Sequence, residues 1–333
     1  MTPFRAPAAL AAAAFALGIA MPSLAQQGPA AAAPPPVQAD SLKPAALAPL
    51  AVRSLLLDAA RAGDRLVAVG QRGHILLSDD NGRTWRQMPV PVDSALTGVF
   101  FVDARNGWAV GHDSVILHTG DGGESWTLQH AAPDWELPLM DVLFDDPQHG
   151  MAVGAYGLFL ETDDGGRTWT RRRIEEDDYH LNAIIAPTPD LRLIAGEFGM
   201  AHVSRDRGRT WEAMQTPYEG SYFGALAVGP ETVLVFGLQG NIYRSTDAGA
   251  TWTAVENRST AGLLGGTRLS DGRVVLVGMQ GIVLTSTDQG RSFTLEQRPD
   301  RIALAEAIEA PDGSLILFGQ DGVLMTGPPA AIH

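Results

Sequence analysis

A chain of 333 residues with 38 acidic against 24 basic side chains, and a formal net charge of −14, carries no field that would hold nucleic acid or anionic lipid headgroups. It contains no cysteine, which excludes disulfides and thiolate metal sites, and its eight histidines show neither an H-x-H nor an H-E-x-x-H spacing. No metal and no cofactor are expected, and stability has to come from packing.

In chain order, Arg5 precedes an apolar run from Ala8 to Ala20 and then Ser23-Leu24-Ala25. This basic, apolar and small-residue order predicts an export signal over residues 1–25, cleaved near Ala25. The run is shorter than the roughly 18 apolar residues a membrane helix needs, and no later segment reaches that length. The mature chain is therefore expected to be exported without a transmembrane segment. Abundant alanine and arginine, with Lys43 as the single lysine, suggest a GC-rich bacterial genome, and export then means the periplasm. Residues 26–45 are dominated by Ala, Pro, Gln and Gly, including Pro34-Pro35-Pro36, and predict an extended linker.

From residue 46 to 328 the chain repeats. The pattern S/T-x-D-x-G-x-S/T-W/F begins at Ser78, Thr119, Thr162, Ser204, Ser245 and Ser286, and its closing aromatics, Trp85 to Phe293, fall 41 to 43 residues apart. A second marker, G-x-x-G/S, begins at Gly70, Gly111, Gly154, Gly196, Gly237, Gly278 and Gly319. Short strands and turns at a period near 42 predict an all-β fold, a seven-bladed β-propeller of four-stranded antiparallel blades. The third copy shows one blade: Leu139–Phe144, a turn at Asp145–Gly150, Met151–Gly154, a tight turn to Gly157, Leu158–Glu161, the box, and Thr170–Arg172.

The boxes explain themselves locally. Asp80, Asp121, Asp164, Asp206, Asp247 and Asp288 are placed to accept turn amide hydrogens, and the glycine that follows admits backbone angles closed to other residues. A calcium site would need several converging oxygen ligands, and each copy offers one or two carboxylates, so the reading is structural. The seventh copy stops at Gly327-Pro328-Pro329 without a box. A ring leaves no blade edge open, so residues 46–53 are expected to supply the missing strand and close it, with residues 329–333 a short tail.

The repeated box resembles the bacterial neuraminidase repeat, or Asp-box, which identifies architecture rather than activity. A finer pattern is carried by Gly107-Trp108-Ala109-Val110-Gly111, by Gly150-Met151-Ala152-Val153-Gly154-Ala155-Tyr156-Gly157, and by the boxes after them. Together these resemble the photosystem II stability/assembly factor family of seven-bladed propellers and its relatives in non-photosynthetic bacteria. That likeness implies an exported, non-enzymatic factor that holds a membrane-protein complex or another envelope protein, as an accessory of an envelope transporter in a non-photosynthetic host; a monomer is expected. The arginines here are scattered through turns and outer strands rather than gathered in one patch.

Alternating strand direction puts the inter-blade loops and the G-x-x-G turns on one face and the boxes on the other. The first face collects aromatics and carboxylates: Trp135 and Glu136, then Tyr156, Tyr179, His180, Glu197 and Phe198, then Tyr218, Tyr222 and Phe223. Such a rim is expected to bind a protein, with a glycan as the alternative ligand. Each member also has a plainer reading: Trp135 can cover a blade junction, part of the Tyr218–Phe223 group can be core, and Glu175–Asp178 can be a solvated loop.

Catalytic signatures are missing. There is no G-x-S-x-G elbow and no phosphate loop. Paired carboxylates leave a glycoside hydrolase as the rival reading. A sialidase would need three converging arginines and a Tyr/Glu nucleophile pair, and neither stands out; no catalytic residue is assigned.

Overall fold

The computed structural model describes residues 42–326. The signal read over residues 1–25, most of the linker and the C-terminal tail lie outside them. The described strands form seven sheets, each built in sequence order, so every blade is a simple antiparallel meander. The innermost strands are Leu56–Ala62, Leu96–Phe101, Leu139–Phe144, Leu181–Ile185, Tyr222–Ala227, Leu263–Arg268 and Leu304–Glu309. Each second strand, such as Arg65–Gly70 or Val233–Gly237, is buried along nearly its whole length, because it is sandwiched by neighbouring blades on both faces. Its near-continuous apolar sequence is what such a position requires.

Blades meet through the box aromatics. Trp85 of blade one stands edge-on to Phe318 of blade seven at 5.8 Å, and Trp211 of blade four meets Phe159 of blade three at 6.0 Å.

One expectation is corrected. Residues 46–53 contribute no strand, and among the described residues blade seven has three: Leu304–Glu309, Leu315–Gly319 and Gly322–Met325. The physical reason is in the backbone donors. Pro49 has no N–H for a ladder. The N–H groups of Ala51, Arg53 and Ser54 already bond the carbonyls of Ala48, Leu50 and Ala51 in a tight turn. The segment is held instead by the Gln87 amide, which bonds the Ala48 N–H and the Ala46 carbonyl at 2.7 and 3.0 Å, and by packing, with Ala51, Ala48 and Val52 set among Leu56, Ile316, Phe318 and Val323. Gly322 permits this approach, since its φ is +82° and a Cβ there would lie 1.9 Å from the Val52 carbonyl oxygen. The ring itself closes where the innermost strand of blade one lies against that of blade seven.

A bulge recurs in every blade. The ladder between first and second strands skips Leu57, Thr97, Met140, Asn182, Phe223, Leu264 and Ala305. All seven line the central channel, where a cavity of about 190 Å³ lies. A bulge re-aims one side chain out of the pleat, and repetition turns that local device into a ring.

Candidate functional site

The structure places the G-x-x-G turns beside the inter-blade loops, as backbone bonds from Ala132 to Asp113, Gly157 to Tyr179, Glu197 to His180 and Gly199 to Gly220 show. This is the upper face. The boxes bond instead to the turns between first and second strands, as in Gly165 to Gln148 and Ala248 to Glu231, and form the lower face.

On the upper face the third residue of the turn is left-handed in blades one to six: φ is 57° at Arg72, 53° at Tyr156, 51° at Phe198 and 57° at Gln239. Glycine or asparagine suits that region, whereas bulky aromatics are uncommon there. Tyr156 and Phe198 are nevertheless 53% and 66% exposed, so burial does not explain them. The Tyr156 ring stands edge-on to His180 at 4.7 Å, and Phe198 lies 5.1 Å from Tyr179. Glu197 braces this group: its Oε2 accepts the His180 N–H at 3.1 Å, and its Oε1 lies 3.4 Å from His180 Nδ1. Leu238 and Met279, at 41% and 46% exposure, continue the apolar arc over blades five and six. Phe223 and Met279 both flank Gly262, which joins the arc to the channel mouth.

Of the ten expected rim residues only Glu136, Tyr156 and Phe198 are exposed; Tyr179, His180, Glu197 and Phe223 are half-buried, and three more serve the packing beneath. Tyr222 is fully buried, in a cluster with Tyr218 and Tyr243 at 5.6 and 6.1 Å, because its strand position points between blades four and five. It is therefore withdrawn from the binding face. Tyr218 is half-buried and donates its hydroxyl to the Leu238 carbonyl at 3.2 Å, supporting the arc from beneath. Trp135 is also half-buried, against His130 at 5.9 Å and under the Arg171 guanidinium at 5.5 Å, so it covers a blade junction. Glu136 beside it is exposed.

The channel carries what the sequence reading missed. Asp58, Asp141 and Glu306 follow the bulged residue in blades one, three and seven, where the other blades have Gly98, Ala183, Gly224 and Gly265. Asp58 accepts the N–H of Ala59 at 2.8 Å and of Val99, in the next blade, at 2.7 Å. Asp141 likewise accepts from Val142 at 2.7 Å and from Ile184, again one blade on, at 2.9 Å. Thr97 and Asn182 make the same kind of bridge to the carbonyls of Leu139 and Tyr222. Adjacent innermost strands are not paired with each other, so these polar side chains satisfy backbone groups across the gap. The signal was available: a carboxylate at one register position in three of seven aligned copies.

Burial, which outweighs the Val99 N–H bond, pushes Asp58 up to about 7, with the Asp141 charge adding to it. Burial raises Asp141 to about 6, and burial together with the Asp58 charge raises Glu306 well above the usual range. A carboxyl whose folded value lies above its unfolded one stabilises the fold below the unfolded value, and that contribution is lost as pH rises through the folded value. Glu306→Gln keeps an acceptor for the Ala307 N–H and removes the charge. Its melting temperature should exceed that of the wild type at about pH 8, and the difference should shrink to nothing near pH 5, as thermal melts at the two values would show.

On the lower face, each box carboxylate is engaged within its own turn. Asp80 Oδ1 accepts the Thr84 N–H at 2.8 Å and Oδ2 the Thr84 hydroxyl at 2.6 Å, while the Ser78 hydroxyl accepts the Gly82 N–H at 2.8 Å. The Thr84 bonds hold Asp80 down at about 2. Asp121, Asp164, Asp206, Asp247 and Asp288 repeat the pattern. A wider cleft of about 720 Å³ opens among the ends of the innermost strands, lined in part by Phe100, Phe144, Ile185, Pro187 and Leu226. Arg192, 2% exposed, borders it and pairs with Asp145.

These features define a class: a β-propeller of seven antiparallel blades, a ring that presents one chemically rich rim. More narrowly, the chain belongs to the family described as photosynthesis system II assembly factor YCF48, which matches residues 77–137 and 130–298. Over 47 residues it is 43% identical to the chloroplastic photosystem II stability/assembly factor HCF136 of Cyanidioschyzon merolae, covering 14% of this chain and 11% of that protein. The HCF136 of Guillardia theta is 39% identical over 62 residues, covering 17% and 16% respectively. The matched stretches are thus a small part of those relatives' lengths. Among solved structures, YCF48 bound to a D1 peptide superposes with a TM-score of 0.65 at 20% identity, over 88% of this chain and 96% of that one. YCF48 from Cyanidioschyzon merolae gives 0.67 at 17%, over 85% and 97%. The WD40 propeller of Doa1 gives 0.64 at 13%, over 85% and 95%. At such identities the likeness is one of fold.

Proposed function

We propose that the chain is a non-catalytic binding and assembly factor for a membrane-protein complex: photosystem II in a photosynthetic host, an envelope transporter otherwise. The observation that carries this reading is the arc of exposed side chains from Tyr156 to Met279, set on turns whose geometry does not favour the two aromatics. Bulky residues held in a sparsely populated backbone region with no burial in return mark a functional surface. Family membership agrees, and YCF48, a neighbour of the same fold, is seen bound to a D1 peptide.

The glycosidase reading is weaker. The channel carboxylates bridge backbone groups between blades, and no arginine lines the channel cavity among the described residues. Export to the periplasm, through cleavage near Ala25, and a monomeric state complete the proposal; sequencing the N-terminus of the protein recovered from its host tests the first.

Affinity capture from the host's membranes tests the function. One integral membrane complex should co-purify, and Tyr156→Asn with Phe198→Asn should lower its yield at least about tenfold. Melting should barely change, since asparagine tolerates a left-handed backbone. Undiminished capture by the double variant, or hydrolysis of a glycoside panel, would count against the reading.

A further inference from the structure

The rim is not uniform around the ring. In blades one, two and seven the G-x-x-G turns present Arg72, His112, Asp113 and Asp321, whereas blades three to six present Tyr156, Phe198, Leu238 and Met279. The apolar turns are consecutive, so they make one sector rather than scattered points. Carboxylates border the same sector. Glu136, Glu176, Asp177 and Glu219 are exposed, and none of them forms an ion pair among the described residues. Arg173 is tied back within its own loop, to the carbonyls of Glu175 and Glu176 and to Asp178 at 3.3 Å. Glu175 is folded inward, 3.6 Å from His202, and burial raises it to about 7.

We propose that this sector takes an extended protein segment in which basic and apolar side chains alternate, an inference that rests on the binding role above. Apolar residues of such a segment cover the arc, and its lysines or arginines meet the free carboxylates around it. Complementary potentials of this kind select the partner and speed its arrival more than they add affinity. Two other occupants fit less well. An anionic membrane surface is repelled by the same carboxylates. A sugar ring stacks on flat aromatic faces, and half of the arc is Leu238 and Met279.

The test is direct binding, read by fluorescence anisotropy, of two labelled peptides to the full chain. One is built of Phe-Lys-Gly repeats and the other of Phe-Glu-Gly repeats. The lysine peptide should bind at least about tenfold more tightly, with the preference shrinking as salt rises from about 50 to about 200 mM. Tyr156→Asn with Phe198→Asn should weaken the lysine peptide about tenfold. Glu176→Gln with Asp177→Asn should narrow the gap between the two peptides. A lower-face control, Asp163→Asn, should change neither. Equal binding of both peptides, or binding that ignores the rim variants, overturns the inference. If membrane capture still depends on the rim in that case, the charge assignment alone has failed; if it does not, the binding role has failed with it.

Discussion

Trp108→Ala is expected to destabilise the chain by about 3–5 kcal/mol, the usual range for truncating a large buried aromatic. Trp108 is fully buried in the second strand of blade two, stacked on Phe144 of blade three at 3.4 Å and 7°, with His118 on its flank at 4.9 Å. Around it pack Val110, Leu139, Val142, Leu160 and Trp169, so the ring ties two blades together. Removing it leaves a void that rigid sheets cannot close. For a domain of this size the melting temperature should drop by on the order of 10 °C. Trp108→Phe separates packing from polarity, because the indole Nε1 is buried without an acceptor among the described residues. Phenylalanine removes that cost and keeps most of the contact, so it should lose less than half as much. Denaturant melts of both variants check the order, and an alanine cost under about 1 kcal/mol would show that the junction is not held this way.

Asp145→Ala is expected to cost a similar amount, about 3–5 kcal/mol, for an electrostatic reason. The Arg192 guanidinium, 2% exposed, donates through Nη1 to the carbonyls of Thr188 and Leu191 at 2.8 and 2.9 Å and through Nη2 to Asp145, whose side chain is 19% exposed. It thereby ties blade four to blade three. Without the carboxylate a charge stays buried with carbonyl dipoles alone, and that is the unfavourable case for a buried pair. Arg192→Met should be milder, since Asp145 retains some solvent. Combining it with Asp145→Ala should recover much of the loss. Additive costs in the double variant would mean that the two side chains are not coupled.

Both predictions concern the platform beneath the rim, and the sequence showed that platform far better than the rim. Box spacing gave the period because each box is a self-contained turn, and the seventh G-x-x-G turn, at Gly319, completed the blade count. Asp164, for example, bonds Thr168 at 2.9 Å whatever stands in the next blade. Closure was misread because pairing of residues 46–53 depends on where their few N–H groups find partners, which composition does not reveal. Tyr222 and Phe223 are adjacent and similar, yet one is core and the other lines the channel, since the bulge between Tyr222 and Gly224 shifts the alternation. Asp58, Asp141 and Glu306 went unnoticed as ordinary charges in short strands. Their role appears only when seven strands converge. Arg192 was hidden likewise, its partner Asp145 lying in another blade.

On the proposed function, the upper rim over blades three to six, and not the face that carries the boxes, meets a membrane-protein client. Site-specific photo-crosslinking in the host's membranes tests it most directly, with the reactive side chain placed at position 198 on the upper face or at position 163, an exposed box position, on the lower. An adduct with an integral membrane protein is expected from position 198 and none from position 163. Adducts from both positions alike, or from position 163 alone, would contradict it.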